Sequence, residues 1–240
     1  MKRFSIILLL ILLHPLLHGQ TITAKAMVDS IDNPTIVPDT LKSFLVRNDP
    51  PFLFSANLNH RERTFGNKIL RGSLYSIGYN TVILTALVFA PESLSKWENK
   101  EEKFSKSSIL HQYKNAYTKP PVIDKDLWTT NYLGHPYQGA FYYNSVRSQG
   151  AKFWQASLFA WGQAVLWEYG WEAGIEQPSI QDLLTTPLCG ILVGETFNLA
   201  TLAMSRHGFT WYEIAAVCVI NPAYAINNQF KFNKRILPKD

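Results

Sequence analysis

Five motifs decide the fold of this chain: NYLGHP at residues 131–136, YYNSVRSQG at 142–150, WEYGWE at 167–172, QPSIQD at 177–182 and GE at 194–195. Ionisable residues are few across this stretch, and each is surrounded by aromatic and small residues in segments apolar enough to be buried. Because burying a carboxylate without a partner costs several kcal/mol, such side chains must find one another inside the protein. The stretch therefore predicts a helical core in which polar groups from separate helices converge.

Two helices of this core are indicated by their end signals. Proline suits the first helical position, so Pro136 predicts a helix over residues 135–148, with Gly150 as its left-handed cap. A second helix is expected over residues 152–172. Since the connection between them is short, the two should be antiparallel neighbours.

A third long helix is predicted over residues 183–205. Ser179 is its expected N-cap, and Asp182 answers three residues later, as in a capping box. The segment is apolar apart from one acid, and Gly190 and Gly194 permit the close approach of another helix. A last apolar segment, broken by an Asn-Pro pair, follows it.

Composition divides the rest of the chain. Residues 20–66 are polar and rich in proline, which predicts an extended arm, while 227–240 form a basic tail and 67–226 the helical domain. Within that domain an uncharged run at 72–91 has the length of a bilayer span but also suits a buried helix. A charged insertion occupies 92–127 and is typical of a solvated helix or loop. The expected fold class is all-α: an irregular bundle of four or five helices, partly membrane-associated.

The N-terminus has the layout of a secretory signal peptide. Lys2 and Arg3 precede an apolar run over 4–13, and cleavage is expected after Gly19 or as late as Ala26. An uncleaved membrane anchor is the alternative. We therefore expect an exported protein of the cell envelope, membrane-associated and facing the periplasm.

Charge and aromatic content bear on partners. Removal of the signal peptide takes away two basic residues and no acidic one, so the formal charge falls from +5 to +3. That excess is too small to indicate nucleic-acid binding, which needs a concentrated basic face. Five of the seven tryptophans lie between residues 128 and 171, a pattern that suits a lipid interface. The expected partner is membrane lipid or another envelope protein.

The candidate catalytic residues are His135, Glu168, Glu172, Asp182 and Glu195. Glu168 and Glu172 share one helix face, so they would hold a cation, share a proton, pair with a base or lie at a solvated helix end. Glu195 lies within an apolar helix, where a site carboxylate and a structural ion pair are both open. His135 fits a general base, a metal ligand or a helix cap.

The candidate substrate-binding residues are Asn144, Arg147 and Ser179. Arg147 suits a phosphate or carboxylate through fork-like hydrogen bonds, or an ion pair with Glu168 or Glu172 across the helical hairpin. A divalent metal is compatible with the acidic residues but is not indicated by them. Cys189 and Cys218 are interpreted as buried free thiols, with a disulfide as the alternative.

Taken in order, the five motifs and the Thr186-Pro187 pair resemble an uncharacterised bacterial family, the domain-of-unknown-function family 3943, which is found in exported envelope proteins. The resemblance covers roughly residues 70–205 and implies a helical, envelope-located domain, without an established reaction. The order of the histidine, glutamate and aspartate helices is also similar to small membrane proteins of the teicoplanin-resistance VanZ type.

Three functions follow from these features. One is a membrane-associated envelope domain without catalysis. The second is a metal- or acid/base-dependent hydrolase or transferase that acts on an envelope lipid or glycan. The third is a soluble periplasmic binding module. If His135, Glu168 and Glu195 lie more than ~10 Å apart, no single metal shell holds all three at ligand distances of roughly 2–3 Å, and the second function, with Glu195 in its site, is excluded.

Overall fold

The computed structural model describes residues 64–97, 99–206 and 208–233. Within these residues the chain forms nine α-helices, two five-residue π-helical turns and no strand beyond an isolated bridge. The expected all-α class is therefore confirmed. The predicted signal peptide and nearly all of the extended arm lie outside the described residues, as does the second half of the basic tail.

The first helix, α1, spans Phe65–Phe89 and is longer than the uncharged run in the sequence. It begins at Thr64, whose side chain accepts from the N–H of Asn67, and it ends before Pro91, which cannot continue a helix. Its buried residues are Gly72, Ser76 and Asn80, spaced four apart on one face. The face that packs on the protein is thus made of small and polar residues.

The charged insertion folds into three short helices: α2 at Glu92–Ser95, α3 at Lys100–Lys103 and α4 at Lys106–Thr118. Lys100 Nζ donates to carbonyl oxygens in the last turn of α1, at 2.8 and 2.9 Å. Trp97 is 1% exposed and packs edge-to-face on Phe104. This segment is therefore docked on the bundle, not a free solvated loop.

The core helices follow: π1 at Thr130–Gly134, α5 at His135–Arg147, α6 at Phe153–Leu166, π2 at Trp167–Trp171 and α7 at Ile180–Ser205. The helix starts and stops agree with the sequence signals to within a few residues. Gly150 has a φ of 80°, the left-handed conformation predicted for it.

The α5 and α7 helices form the centre of the bundle, and their backbones touch. A Cβ atom at Gly139 would lie 1.8 Å from the carbonyl oxygen of Thr186, and one at Gly190 would lie 2.5 Å from the Gly139 Cα. Only glycine fits at such a crossing, as the sequence predicted for Gly190. The tight crossing fixes which side chains of α5 and α7 face each other.

The last helices of the described residues are α8, Trp211–Ile220, and α9, Pro222–Asn227, separated at the predicted Asn-Pro break. Asn227 Nδ2 donates to Ser148 Oγ at 2.6 Å and ties α9 to the end of α5. Both cysteines are free, as expected. Cys189, however, is exposed, because it lies on the outer side of α7, so its predicted burial is wrong.

The outer surface of the bundle is apolar. By length and composition, α1 and α7 are each able to cross a membrane, and only 17% and 33% of their most apolar windows are buried. Their exposed side chains include Leu70, Val82 and Phe89 of α1 and Leu184, Leu188 and Leu192 of α7. In a water-soluble bundle the apolar stripe of a helix faces the core, so this arrangement is inverted.

A buried histidine–carboxylate cluster as the candidate metal site

Three side chains from three elements meet at one end of the α5–α7 pair. The cluster contains His135, the first residue of α5, Glu168 of π2 and Asp182 in the first turn of α7. One nitrogen or carboxylate oxygen from each lies within 4.8 Å of the others. Their exposed fractions are 6%, 3% and 4%, so the cluster is shielded from bulk water.

Both π-helical turns of the described chain adjoin this cluster. π1 ends at Gly134, directly before His135, and π2 contains Glu168. A π-helical turn widens the backbone and shifts the side chains that follow it, and such turns are rare and frequent at functional sites. Here they aim a histidine and a glutamate at the same point.

Ser179 organises the carboxylates of the cluster. Its N–H donates to Glu168 Oε2 at 2.8 Å, and its hydroxyl donates to Asp124 Oδ2. The same hydroxyl accepts from the N–H of Asp182, which makes Ser179 the predicted N-cap. The expected reciprocal capping by Asp182 is wrong, because Glu168 takes the N–H of Ser179. The Asp182 carboxylate is thereby left to face His135.

Asp124 belongs to this site and was not among the sequence candidates. Its Oδ1 accepts from Asn131 Nδ2 at 2.7 Å and from the N–H of Asp126 at 2.9 Å. Asp124 lies in a loop held beside Ser179 by one parallel bridge from Val122. A loop acid carries no periodic signal, and the mixed charge of this segment suggested a solvated surface.

A partly open cleft reaches the cluster at His135. Asp126 and Glu172 also line it, together with aromatic and aliphatic residues. Glu172 Oε2 accepts from Trp167 Nε1 at 2.6 Å, which fixes its carboxyl beside the three clustered residues but not among them. A ligand in the cleft would therefore approach the cluster from the His135 side.

Residues 120–223 match the family described as "Domain of unknown function (DUF3943)". This segment is a DUF3943 domain. It contains all the residues of the cluster, Asp124 included, and begins later than the resemblance suggested. No curated protein and no solved structure matches the chain.

His135 of the DUF3943 domain is held in its neutral form. His135 Nδ1 lies 3.0 Å from Thr186 Oγ1, and Nε2 lies 3.5 Å from Asp182 Oδ1. Burial lowers the pKa of His135 to about 4, against the opposing charge of Asp124. With the Nδ1 proton assigned to the contact with Thr186, the Nε2 lone pair faces a carboxylate. Two electron-rich atoms in that position need a proton or a cation between them.

The carboxyl groups at this site of the DUF3943 domain differ in the direction of their pKa shifts. Burial raises the pKa of Glu168 to about 7, and the nearby Asp124 and Asp126 add to the rise. Although burial opposes it, hydrogen bonds from Ser179 and Asn131 lower the pKa of Asp124, which stays ionised. Glu168 Oε1 and Asp182 Oδ1 are buried and have no hydrogen-bond partner in the described part of the chain. Burial likewise raises the pKa of Asp182 to about 8. The site therefore has acceptor capacity to spare, which a proton or a cation can satisfy.

One imidazole nitrogen and two carboxylate oxygens are a donor set that suits zinc, manganese or iron(II). Three protein ligands are also the number that catalytic sites use, because the remaining position is left to water or substrate. Neutral imidazole is the form that binds metal. The residues of the cluster therefore fit a divalent transition metal.

The remaining candidates of the DUF3943 domain lie elsewhere. Glu195 is thirteen residues beyond Asp182 on α7, which at 1.5 Å per residue is about 20 Å away. There it forms two hydrogen bonds of 2.9 Å with Arg147 and accepts from Tyr143 at 2.6 Å. The expected single site that joins Glu195 to the others is not formed, and Arg147 pairs with neither Glu168 nor Glu172.

Asn144 is likewise part of the helix interface. Its Nδ2 donates to the carbonyl of Gly194 at 2.9 Å across the α5–α7 contact. Of the three predicted substrate-binding residues, only Ser179 lies at the cluster, where it orients two carboxylates.

Proposed function

We propose that this protein is a membrane-associated cell-envelope enzyme, a divalent-metal-dependent hydrolase or transferase that acts on an envelope lipid or glycan. One observation carries the proposal: a ring nitrogen of His135 and a carboxylate oxygen each of Glu168 and Asp182 converge beside a partly open cleft, and both acids keep a buried oxygen without a hydrogen-bond partner in the described part of the chain. A purely structural cluster would use those oxygens, since an unsatisfied buried acceptor costs about 1–3 kcal/mol.

Each residue of the site has a role in this proposal. His135, Glu168 and Asp182 hold the metal, which supplies Lewis-acid chemistry and a more acidic water. Thr186 fixes the imidazole and Ser179 orients the carboxylates, as outer hydrogen bonds do in metal sites. Glu172, whose pKa is raised by burial and then by Glu168, lines the cleft where it can donate a proton to a leaving group.

The inverted surface supports membrane association. Leu70, Val82 and Phe89 of α1 are 60%, 66% and 83% exposed, while the buried face of the same helix is small and polar. Three tryptophans, Trp128, Trp154 and Trp211, are exposed as well. Apolar patches of this extent are unusual on soluble monomers. Export rests on the N-terminal sequence alone.

Metal titration of the full chain in detergent tests the site. Calorimetry with Zn²⁺ or Mn²⁺ should give one equivalent bound, with affinity reduced about 100-fold or more in His135→Ala and Asp182→Asn. Glu195→Gln is the matched control, since it makes the same carboxylate-to-amide change on the same helix. Absence of stoichiometric binding, or equal losses in Asp182→Asn and Glu195→Gln, would contradict the site.

Turnover separates a catalytic from a structural metal. The metal-loaded protein should release product from radiolabelled envelope lipid or glycan extracts, and Glu172→Gln should abolish release while it keeps the metal. If the metal raises the melting temperature but no extract is processed, the cluster is structural and the enzyme proposal is wrong.

Fractionation tests the location. The full chain should remain in the membrane pellet after carbonate extraction and require detergent for release. Recovery from the carbonate supernatant, or from the cytoplasmic fraction, would contradict membrane association or export respectively.

A further inference from the structure

The cleft beside the cluster has an elongated apolar side. Tyr79, Ile83 and Leu87 line it and are spaced four apart on α1, so they form one stripe about 12 Å long. Leu94 and the buried Trp97 extend the apolar lining beyond that helix. Such a surface suits an extended hydrocarbon chain better than a sugar, which would need hydrogen-bonding groups along its length.

The other side of the cleft is polar and acidic. Asp126, His135 and Glu172 line it, and the lining contains no lysine or arginine. A negatively charged head group would therefore lie beside the ionised carboxylate of Asp126, with only a metal at the cluster to attract it, while Glu172 is the protonated acid proposed above. An uncharged head group meets no such repulsion.

The lysines nearest the cleft are not among its lining residues. Lys100 Nζ donates to the carbonyls of Leu87, Val88 and Ala90, which uses all three of its protons. Lys103 is paired with Glu176 at 2.8 Å, and Lys96 is exposed beside the cleft, where its charge acts on Asp126. Lys100 therefore has no donor left for a phosphate, and the charges of Lys96 and Lys103 are partly balanced by carboxylates.

We propose that the cleft binds a lipid with one chain along α1 and an uncharged head group, such as a glycerol ester, at His135. This inference rests on the function proposed above, because it assigns the substrate class of the same site. The apolar exterior of α1 gives such a lipid a route from the bilayer, since Val82 faces outward beside Ile83 of the cleft.

Photolabelling tests the binding without needing turnover. The full chain in phosphatidylcholine nanodiscs is irradiated with a monoacylglycerol that carries a diazirine in its chain. Label should concentrate on the cleft residues of α1 and on Trp97, and unlabelled monolaurin should compete. The same experiment in EDTA should give the same map, so a failed metal site does not obscure the result.

A pair of neighbouring substitutions provides the control. Ile83→Trp fills the cleft and should reduce cleft labelling at least fivefold, while Val82→Trp, on the exposed face, should leave it unchanged. Thermal unfolding of Ile83→Trp beside the wild type confirms that the fold survives. Label spread evenly over the exposed apolar residues, or equal labelling of the two variants, would overturn the proposal even if metal binding is intact.

The charge preference is tested with lauroyl phosphate. It should compete at least fivefold less well than monolaurin against the wild type, and the difference should shrink in the double variant Asp126→Asn, Glu172→Gln. Equal or better competition by lauroyl phosphate in the wild type would show that the head group is anionic and would overturn that part of the inference.

Discussion

The α5–α7 helix pair buries carboxylates in two places, and the two places differ. Midway along the pair, Glu195 is paired with Arg147 and accepts from Tyr143, so its charge is compensated. At the end of the pair, Asp182 and Glu168 face a neutral histidine and retain unpartnered oxygens. The first site resembles a structural ion pair, and the second resembles a site that is completed by something it binds.

The glycine crossing between the two sites should show the largest effect. Gly139→Ala drives a Cβ into the backbone of α7 and should lower the free energy of unfolding by about 3 kcal/mol or more. Gly162→Ala, on α6 with open space around its Cβ position, should instead stabilise by up to about 1 kcal/mol. Denaturation in detergent compares the two, and similar effects would show that the helices do not touch.

The ion pair should show the next largest effect. Arg147→Ala leaves Glu195 partly buried without its partner, so we expect a loss of about 2–4 kcal/mol. Thermal unfolding measures it, with Lys103→Ala as the control. The Lys103–Glu176 pair is about as exposed but has one hydrogen bond instead of two, so it should lose less than about 1 kcal/mol. Equal losses would mean that the interior pair is not compensated as described.

In the metal-free protein, removal of a carboxylate from the cluster should stabilise the fold, whereas disruption of the Arg147–Glu195 ion pair destabilises it. In EDTA, Asp182→Asn relieves repulsion among buried carboxyls and should raise the free energy of unfolding by about 1 kcal/mol, after a small loss at the helix N-terminus. The same unfolding assay applies, with Glu195→Gln expected to destabilise. Destabilisation by Asp182→Asn in EDTA would make the two sites alike.

The pH dependence of stability should further distinguish the cluster from the Arg147–Glu195 ion pair. Glu168 has a folded pKa of about 7, above its ordinary value of 4.5, so the metal-free fold loses stability as pH rises from about 4.5 through 7. His135 has a folded pKa of about 4, below its ordinary 6.5, so stability is also lost as pH falls from 6.5 to 4. Burial also raises the pKa of Asp182 to about 8 and that of Asp126 to about 6, and both act in the same direction as Glu168. Unfolding in EDTA across pH 4–8 should therefore show a net loss of stability as pH rises, because the carboxyls together outweigh His135.

Metal affinity should follow the same titration. Since Glu168 and Asp182, whose pKa burial raises to about 8, must both lose their protons to bind, affinity should rise about tenfold per pH unit between pH 7 and 8, more steeply below pH 7, and level off above pH 8. Calorimetry in buffers of different ionisation enthalpy counts the released proton. Affinity that does not change between pH 5.5 and 7 would exclude Glu168 as a ligand.

Most of the helices followed from sequence signals. Pro136, Gly150 and Ser179 mark real helix ends, because their effects are local and do not depend on tertiary contacts. The convergence of His135 with Glu168 depends instead on two π-helical turns, which have no sequence signature that we used. The sequence does not predict the role of Asp124 for a similar reason, since only the fold brings its loop to Ser179.

The separation of Asp182 from Glu195 is one feature that the sequence alone predicts. Asp182 and Glu195 were both placed on one predicted helix, and thirteen residues of helix separate their side chains by about 20 Å. That rise alone excludes a shared site. The sequence does not determine which face of α1 is buried. Either its small polar residues or its apolar residues could pack inward, and the choice depends on the neighbouring helix.

X-ray absorption at the metal edge tests the central claim most directly. The zinc-loaded protein should show one nitrogen and two oxygen protein ligands at about 2.0–2.2 Å, with one nitrogen lost in His135→Ala. A sulfur ligand from Cys189 or Cys218, or a shell of water oxygens unchanged by that substitution, would contradict the assignment of the cluster as the metal site.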